Sequence, residues 1–450
     1  MTGMKEIDLA NPVEKAIKVL SITDLDVFDV YAAYSRSLSI DILGKGIKEA
    51  RSRTDIGIGV RAYRNKGLGV AFSQSLKPKD VRRTVHTALG FAKIAQPDLY
   101  FKGIPGPSKA SPVPDLADNN IRELTLEEAG ESAKLMIEAA ESVHKGAMYR
   151  GGIGAGHSQG YLMTSTGVCV SNEHTSVSCN IGPTYREGDD IGSSHEFDFA
   201  VTIAEIDFER IGKRAAERAL EQFGSRRVES GTLPIVLAPD SVTSFVFSLV
   251  GAISGESAVK GRTYASGSIG KQVAPEIFKV HDDGTIPGAI SSESYDGEGV
   301  PRKPTKVIDE GRVLTFLHNS YSAGIAGVEP TGHAVRGGYG GYVGAGPTNV
   351  QVKPGDSSLG EMIRETKRGI LATNVGIRPN MVSGEFSSTI DEGFLIENGE
   401  RTHPVKNLMV GGHILELYEN IEMISKEGRT IGKGHFFPAI KISQIKLAGE

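Results

Sequence analysis

The sequence has no tryptophan, two cysteines among its 450 residues, and no long apolar run. Because a membrane-spanning helix needs about 18 or more consecutive apolar residues, a membrane-integral protein is excluded. Cys169 and Cys179 are too few to build a disulfide framework, which favours a reducing compartment. Charged side chains interrupt the apolar residues of segment 1–20, so we expect no secretory signal and a cytoplasmic protein.

The chain also lacks an excess of positive charge. Its formal net charge is -5, and acidic and basic residues are interspersed along it. A protein that holds a phosphate backbone usually carries a basic stripe, so we expect no nucleic-acid partner. The contents of 39% hydrophobic and 23% charged residues are typical of ordinary globular domains.

Length and composition predict two domains, since a domain averages roughly 150 residues and larger domains are common. A polar stretch over 224–232 separates the two halves of the chain. We therefore predict domains at 1–225 and 226–450. The expected fold class is α+β, with each domain an antiparallel or mixed sheet packed with helices.

Local patterns predict the elements of the first half. Short β-rich runs separated by turn residues predict an antiparallel meander over 28–73, and apolar residues at helical spacing predict a helix over 81–95. Four prolines within 103–115 oppose both a helix and a central strand, which indicates a loop. Thr125 and Glu128 have the spacing of a capping box, which predicts a helix from there to about Val143.

The same patterns predict further strands and helices. Nine glycines within 324–346 oppose any regular element and predict a loop system. The predicted strands are 168–177, 195–201, 235–237, 384–397 and 437–447, and the predicted helices are 208–223, 242–253, 359–371 and 414–424.

No pair of histidines has the spacing of a helical zinc site. The eleven histidines are scattered, and the closest two, His403 and His413, are ten residues apart. His413 and Glu416 have the i, i+3 spacing that places two ligands on one helix face, but the acidic residues after them are typical of a solvated face. Any metal site therefore has to be assembled by the fold.

A second candidate metal motif also fails. His195-Glu196 begins like a zinc-peptidase motif, but Phe199 and Ala200 follow where a second histidine is needed. The alternation of apolar residues around it is that of a strand, and an ordinary strand residue is the better interpretation of His195.

The glycine-rich segment has no nucleotide-binding signature, because 332–346 contains neither G-x-G-x-x-G between a strand and a helix nor Gly-Lys-Ser/Thr. Two interpretations stay open. The segment is a flexible surface loop, or it lets an extended peptide approach the backbone. The candidates for substrate or partner binding are Gly332, His333, Gly337, Gly338 and His413.

Several motifs together resemble those of the TldD/PmbA family of peptidases. In the first half these are Gly57-Ile58-Gly59-Val60-Arg61 and Gly67-Leu68-Gly69-Val70-Ala71-Phe72. In the second half they are Gly251-Ala252-Ile253-Ser254-Gly255-Glu256, Pro347-Thr348-Asn349 and Asn407-Leu408-Met409-Val410-Gly411-Gly412. The likeness runs from about residue 27 to 447, and the order and spacing of the motifs make it specific.

The resemblance also shows which residues are missing. Catalytic members of the family carry H-E-x-x-x-H, in which two histidines bind zinc and the glutamate is the general base. The corresponding residues here are Phe247, Ser248 and Ala252, and Ile431 stands near the place of a further cysteine ligand. None of these side chains can replace the zinc ligands or the base. The resemblance therefore implies no catalytic residue and no metal in this chain.

This pattern is similar to that of the PmbA branch, also called TldE. The resemblance implies a non-catalytic or auxiliary subunit whose TldD-like partner carries zinc, in a complex that cuts unfolded peptides. Two alternatives stay open: an independent peptidase with a relocated site built from residues such as His333, His413 or His435, and a peptide-binding homodimer without catalysis.

Overall fold

The computed structural model describes residues 7–449. Its helices are α1 (Ala10–Leu20), α2 (Pro78–Ile94), α3 (Asn119–Glu123), α4 (Leu126–Val143), α5 (Phe208–Leu220), α6 (Pro239–Ala252), α7 (Gly255–Val259), α8 (Ser320–Ala326), α9 (Leu359–Arg364) and α10 (Ile414–Glu419). A short 3-10 helix spans Ile203–Glu205.

The strands of the first half are β1 (Val27–Gly44), β2 (Gly46–Arg64), β3 (Gly67–Ser73), β4 (Met148–Thr164), β5 (Cys169–Glu187), β6 (Asp190–Ser193) and β7 (Glu196–Ala200). Those of the second half are β8 (Gly231–Leu237), β9 (Val280–Asp283), β10 (Pro304–Asp309), β11 (Arg312–Val313), β12 (Ala334–Arg336), β13 (Val343–Ala345), β14 (Val350–Val352), β15 (Arg368–Val375), β16 (Glu385–Glu397), β17 (Glu400–Pro404), β18 (Met409–His413), β19 (Ile421–Ile431) and β20 (His435–Ala448).

The first sheet is antiparallel throughout. Within residues 7–449 it has seven strands in the order β3-β2-β1-β4-β5-β6, with β7 paired to β5. A long hairpin forms because β1 and β2, of 18 and 19 residues, flank a tight turn at Gly44, which has a φ of +73°. The predicted meander over 28–73 is confirmed.

Helices cover one face of this sheet. Alternate side chains of β1 point to that face, where Val30 and Ala32 pack with α1 and α2, and Leu38 and Ile40 pack with α4 and α5. The intervening residues, such as Asp29 and Tyr31, lie on the opposite face. That face is turned toward the second half of the chain, as the ion pair between Asp29 and Arg336 shows.

The second sheet is mixed. Among the described residues it has eleven strands in the order β11-β10-β9-β14-β20-β18-β16-β15-β8, with β17 beside β16 and β19 beside β20. The pairs β14–β20 and β15–β8 are parallel. Helix α6 packs on this sheet with Phe245 and Leu249 buried. The α+β fold class, with an antiparallel and a mixed sheet, is confirmed.

All strands of the first sheet lie within 27–200 and all strands of the second within 231–448, for the part of the chain that the structure describes. The proposed boundary between 225 and 226 lies in the segment that joins them. None of the helices in residues 7–449 is long and apolar enough to cross a membrane.

Three sequence predictions are wrong in part. The helix predicted over 359–371 ends at Arg364, and β15 begins at Arg368. The helix predicted over 414–424 ends at Glu419, and β19 begins at Ile421. The predicted loop system 324–346 contains a small hairpin, β12–β13. In each case backbone pairing with a distant or facing strand overrides the local pattern.

Candidate functional site

Aromatic and aliphatic packing fills the positions of the lost zinc motif. Phe247, on α6, is half-buried, and its ring centroid lies 5.5 Å from that of His435 and 5.9 Å from that of Phe437. Ala252 is fully buried, and Ile431 is 1% exposed. These three side chains offer no lone pair to a metal ion.

The Ser248 hydroxyl, at the position of the general base, makes hydrogen-bonding contacts within the protein. Ser248 Oγ donates to the carbonyl oxygen of Phe245 at 2.7 Å and lies 2.9 Å from the hydroxyl of Tyr418. Zinc therefore does not fit this set of residues, because Ala252 and Ile431 belong to the hydrophobic core of the second half and Phe247 packs against it. No group of three or more His, Cys, Asp or Glu side chains within 7–449 is placed to hold a metal ion.

The three histidines of the relocated-site alternative each have Nδ1 within hydrogen-bonding distance of a partner in the protein. The partner of His333 is the Thr331 hydroxyl at 2.8 Å, that of His413 is the Leu415 N–H at 3.3 Å, and that of His435 is the Val350 N–H at 3.1 Å. His333 Nε2 also contacts Asp282 at 3.0 Å. Burial lowers the pKa of His435, so this ring is neutral near pH 7.

The glycine candidates shape a loop that packs on the first sheet. Gly332 has a φ of +81° and Gly338 a φ of +75°, conformations that favour glycine. Residues 337–342, here called the glycine loop, connect β12 to β13. The Tyr339 hydroxyl donates to Asp55 at 2.9 Å, and a Cβ at Gly59 would lie 1.7 Å from the Tyr339 carbonyl oxygen. The glycines of β2 thus admit the backbone of this loop.

A buried ion network joins the two halves of the chain. Glu196 on β7 is fully buried and contacts Arg218 of α5 at 3.0 Å and Arg429 of β19 at 2.6 Å. Arg218 also contacts Asp240 of α6 at 2.8 Å and Glu392 of β16 at 2.9 Å. Burial alone would raise the pKa of Asp240, but Arg429 and Arg218 outweigh it and lower that pKa.

A cavity of about 670 Å³ lies between the outer face of the first sheet and the loops of the second half. The end of the proline-rich segment 103–115 lines it, and this segment is bonded to the second half: the Ala110 N–H donates to the Tyr295 hydroxyl at 3.1 Å, and the Val113 N–H to Ser294 Oγ at 3.0 Å. This segment is neither helix nor strand, as predicted. Side chains from both halves line the cavity, among them Tyr31, Asp115, Leu162, Asn172, Glu293, Asp296, Arg302 and Arg336.

Four buried charged side chains form a network that includes Arg336, which lines this cavity. Arg61 contacts Asp29 at 2.6 Å and Glu298 at 3.5 Å, and Arg336 contacts Asp29 at 3.3 Å. The Arg336 guanidinium also lies over the ring of Tyr31, 5.0 Å from its centroid. The carboxylates of Asp29 and Glu298 make their shorter contacts with Arg61, so Arg61 is paired more fully than Arg336.

The Asp296 side chain, which lines the cavity, bonds within its own loop, 296–300, and to β12. Its Oδ1 accepts from the N–H groups of Glu298 at 2.9 Å and Val300 at 3.0 Å, and its Oδ2 accepts from Ala334 N–H at 2.9 Å. Burial, together with the neighbouring Glu298, raises the pKa of Asp296 to about 6. The folded protein therefore keeps this carboxyl protonated at a pH where an exposed aspartate is ionised.

We expect Asp296→Asn to flatten the dependence of stability on pH between about 4 and 6. A folded pKa above the unfolded one gives stability that is present below the unfolded pKa and lost as pH rises through about 6. The loss is about 1.4 kcal/mol per pH unit over that range. Urea unfolding at pH 4.5, 5.5 and 6.5 tests this, and parallel curves for wild type and variant would contradict it.

Sequence patterns did not single out Asp29, Arg302 or Arg336, and Arg61 entered only as the last residue of a glycine-rich motif. These residues come from four separate segments, so no local spacing connects them. The one available signal was a charged residue inside an otherwise uncharged and mainly apolar run, as Asp29 is within 27–34 of β1.

Three segments of the chain match domains of one peptidase family. Residues 28–92 match the PmbA/TldA metallopeptidase domain 1, residues 119–223 the central domain, and residues 230–449 the C-terminal domain. The chain belongs to the PmbA/TldD metallopeptidase family.

Individual relatives cover nearly the whole chain. It is 25% identical to the metalloprotease PmbA of Escherichia coli O157:H7, over 94% of this chain and 93% of that protein. It is 26% identical to the metalloprotease TldD homolog of Haemophilus influenzae, over 96% and 94%. The crystal structure of TldE from Thermococcus kodakarensis is similar with a TM-score of 0.87 and 25% identity, over 98% of this chain and 99% of that one. The identities to the PmbA protein and to the TldD homolog are nearly equal, so they do not assign the chain to either group.

Proposed function

We propose that this chain is a TldE/PmbA-like auxiliary subunit of a cytoplasmic zinc metallopeptidase complex that acts on unfolded peptides. The observation that carries the proposal is the packing at the lost motif: Phe247, Ala252 and Ile431 are apolar, and the Ser248 hydroxyl is bonded within the core. A subunit that carries no zinc ligands needs a partner that does.

The expected partner is a TldD-like subunit that carries the zinc. In such a subunit the metal would polarise the scissile carbonyl and activate water, and this chain would supply part of the wall that encloses the peptide. The roles that follow are proteolysis and peptide maturation.

The first experiment is the zinc content of the chain purified alone under mild conditions, by elemental mass spectrometry. We expect far less than one zinc per chain, because the four positions hold no ligand set. A value near one zinc per chain would overturn the proposal.

The second experiment measures hydrolysis of fluorescein-labelled unfolded casein by the chain alone, by a TldD-like protein from the same genome alone, and by their mixture. We expect the mixture to exceed the sum of the separate rates and light scattering to show a complex of both chains. Full activity of this chain alone would favour an independent peptidase.

A peptide-binding homodimer is the second candidate, because the cavity between the two halves is polar and about 670 Å³ in volume, within the range of ligand pockets. Light scattering of the chain alone tests this candidate. A stable dimer that binds peptide and ignores the TldD-like protein would favour it over the subunit role.

A further inference from the structure

Arg336 is a buried cation with unused hydrogen-bonding capacity. Its side chain is 7% exposed, its Nε donates to the Gly297 carbonyl at 2.9 Å, and its Nη1 pairs with Asp29 at 3.3 Å. Its Nη2 is buried and has no hydrogen-bond partner within residues 7–449. Leaving such a donor unsatisfied is unfavourable, more so for a charged group, so a bound acceptor would be stabilised here.

The neighbouring carboxylates do not meet this need. Asp29 accepts from Arg61 Nε at 2.7 Å and is 2.6 Å from its Nη2, closer than the 3.3 Å to Arg336. Glu298 also contacts Arg61. Burial outweighs Asp29 and lowers the pKa of Arg336, which is consistent with an incompletely compensated cation.

A second guanidinium lines the same cavity with the same deficit. Arg302 donates through Nη1 to the Gly332 carbonyl at 3.3 Å, while its Nε is buried without a partner in the described part of the chain. Both arginines lie on the cavity wall formed by the second half of the chain. Tyr31, which lies on β1 in the first half of the chain, packs against the Arg336 guanidinium and restrains its orientation.

The remaining charges of the cavity select the kind of anion. Asp115 and Glu293 line it too, so a phosphate dianion would be repelled, whereas Glu173, also in the lining, is already paired with Arg122 at 2.6 Å. A carboxylate carries a single charge and matches guanidinium donors in geometry. If it belongs to a peptide, the N–H groups behind it can donate to these acidic side chains.

We propose that the cavity between the two halves binds the carboxylate of an extended peptide, through Nη2 of Arg336 and Nε of Arg302. The carboxylate comes from the peptide C-terminus or from an acidic side chain. This site belongs to the chain itself and goes beyond the proposed subunit role, since it requires neither a zinc ion nor a partner.

The test is fluorescence anisotropy of the full chain, alone, with three fluorescein-labelled five-residue peptides. One is penta-alanine with a free C-terminus, one is its C-terminal amide, and one is an amide with a central glutamate. We expect the first to bind at least about tenfold more tightly than the second, given the value of a hydrogen bond to a charged group. If only the third exceeds the second, the site reads an acidic side chain; equal affinities for all three, or no binding, would overturn the proposal.

Variants locate the binding within the cavity. Arg302→Gln and Arg336→Lys each remove a guanidinium and should weaken binding of the preferred peptide about tenfold. Lysine keeps the positive charge near Asp29 but lacks the planar, forked donors of arginine. Arg401→Gln, which removes a surface arginine paired with Glu221, is the matched control and should bind normally. If Arg336→Lys unfolds, Arg302→Gln carries the test; unchanged binding by a folded Arg302→Gln would contradict the site. Because no hydrolysis is measured, this outcome is independent of the zinc and partner experiments.

Discussion

Glu196→Gln is expected to lower the free energy of unfolding by about 3 kcal/mol. Glu196 is fully buried between Arg218 and Arg429, and a neutral amide would leave these guanidiniums with too little negative charge. The two arginines lie on different halves of the chain, so the loss weakens the contact between them. Urea denaturation at pH 7 measures the change.

The matched control is Glu205→Gln. Glu205 also joins the two halves, through Lys433 at 3.4 Å, but both side chains are more than a third exposed. Solvent screens such a pair, which is worth about 0–1 kcal/mol. Equal effects of the two substitutions would show that burial of the Glu196 network does not matter for stability.

Gly59→Ala is expected to displace the glycine loop and to cost about 3 kcal/mol, the upper end of the range for overpacking. The new Cβ would lie 1.7 Å from the carbonyl oxygen of Tyr339. A backbone atom cannot rotate away as a side chain can, so the loop itself has to move. Urea denaturation measures the cost, and faster tryptic cleavage after Arg336 would report the displaced loop.

Gly46→Ala provides the control within the same strand, since a Cβ there meets nothing within 4 Å. We expect its free energy of unfolding to equal that of the wild type to within about 0.5 kcal/mol. Its rate of cleavage by trypsin should be unchanged. If Gly59→Ala behaves like Gly46→Ala, the loop does not pack on β2 as described.

Elements with a local chemical signature were predictable from the sequence. The Thr125 hydroxyl accepts from Glu128 N–H while the Glu128 carboxylate accepts from Thr125 N–H, which is the predicted capping box. These residues determine an element boundary by contacts within one turn, so the pattern alone is enough.

Elements that depend on distant partners were not predictable. Residues 368–375 are apolar enough for either a helix or a strand, and only pairing with β8 and β16 makes them β15. The ion pairs beside the cavity could not be predicted for the same reason, since they join residues that are still further apart in the sequence. Asp29 and Arg336 are 307 positions apart, and their contact exists only once the first sheet faces the second half.

Strand β20 pairs with β8, β14, β18 and β19, so one segment near the end of the described chain connects four parts of the second sheet. During translation, the first sheet has all its strands once residue 200 has left the ribosome, whereas the second lacks its connecting strand until residue 448 has emerged. Apolar faces of β8 and α6 therefore lack the cover of β20 until almost the last of the described residues is made. This delay makes the second half the more exposed to aggregation in the nascent chain and the more dependent on chaperones.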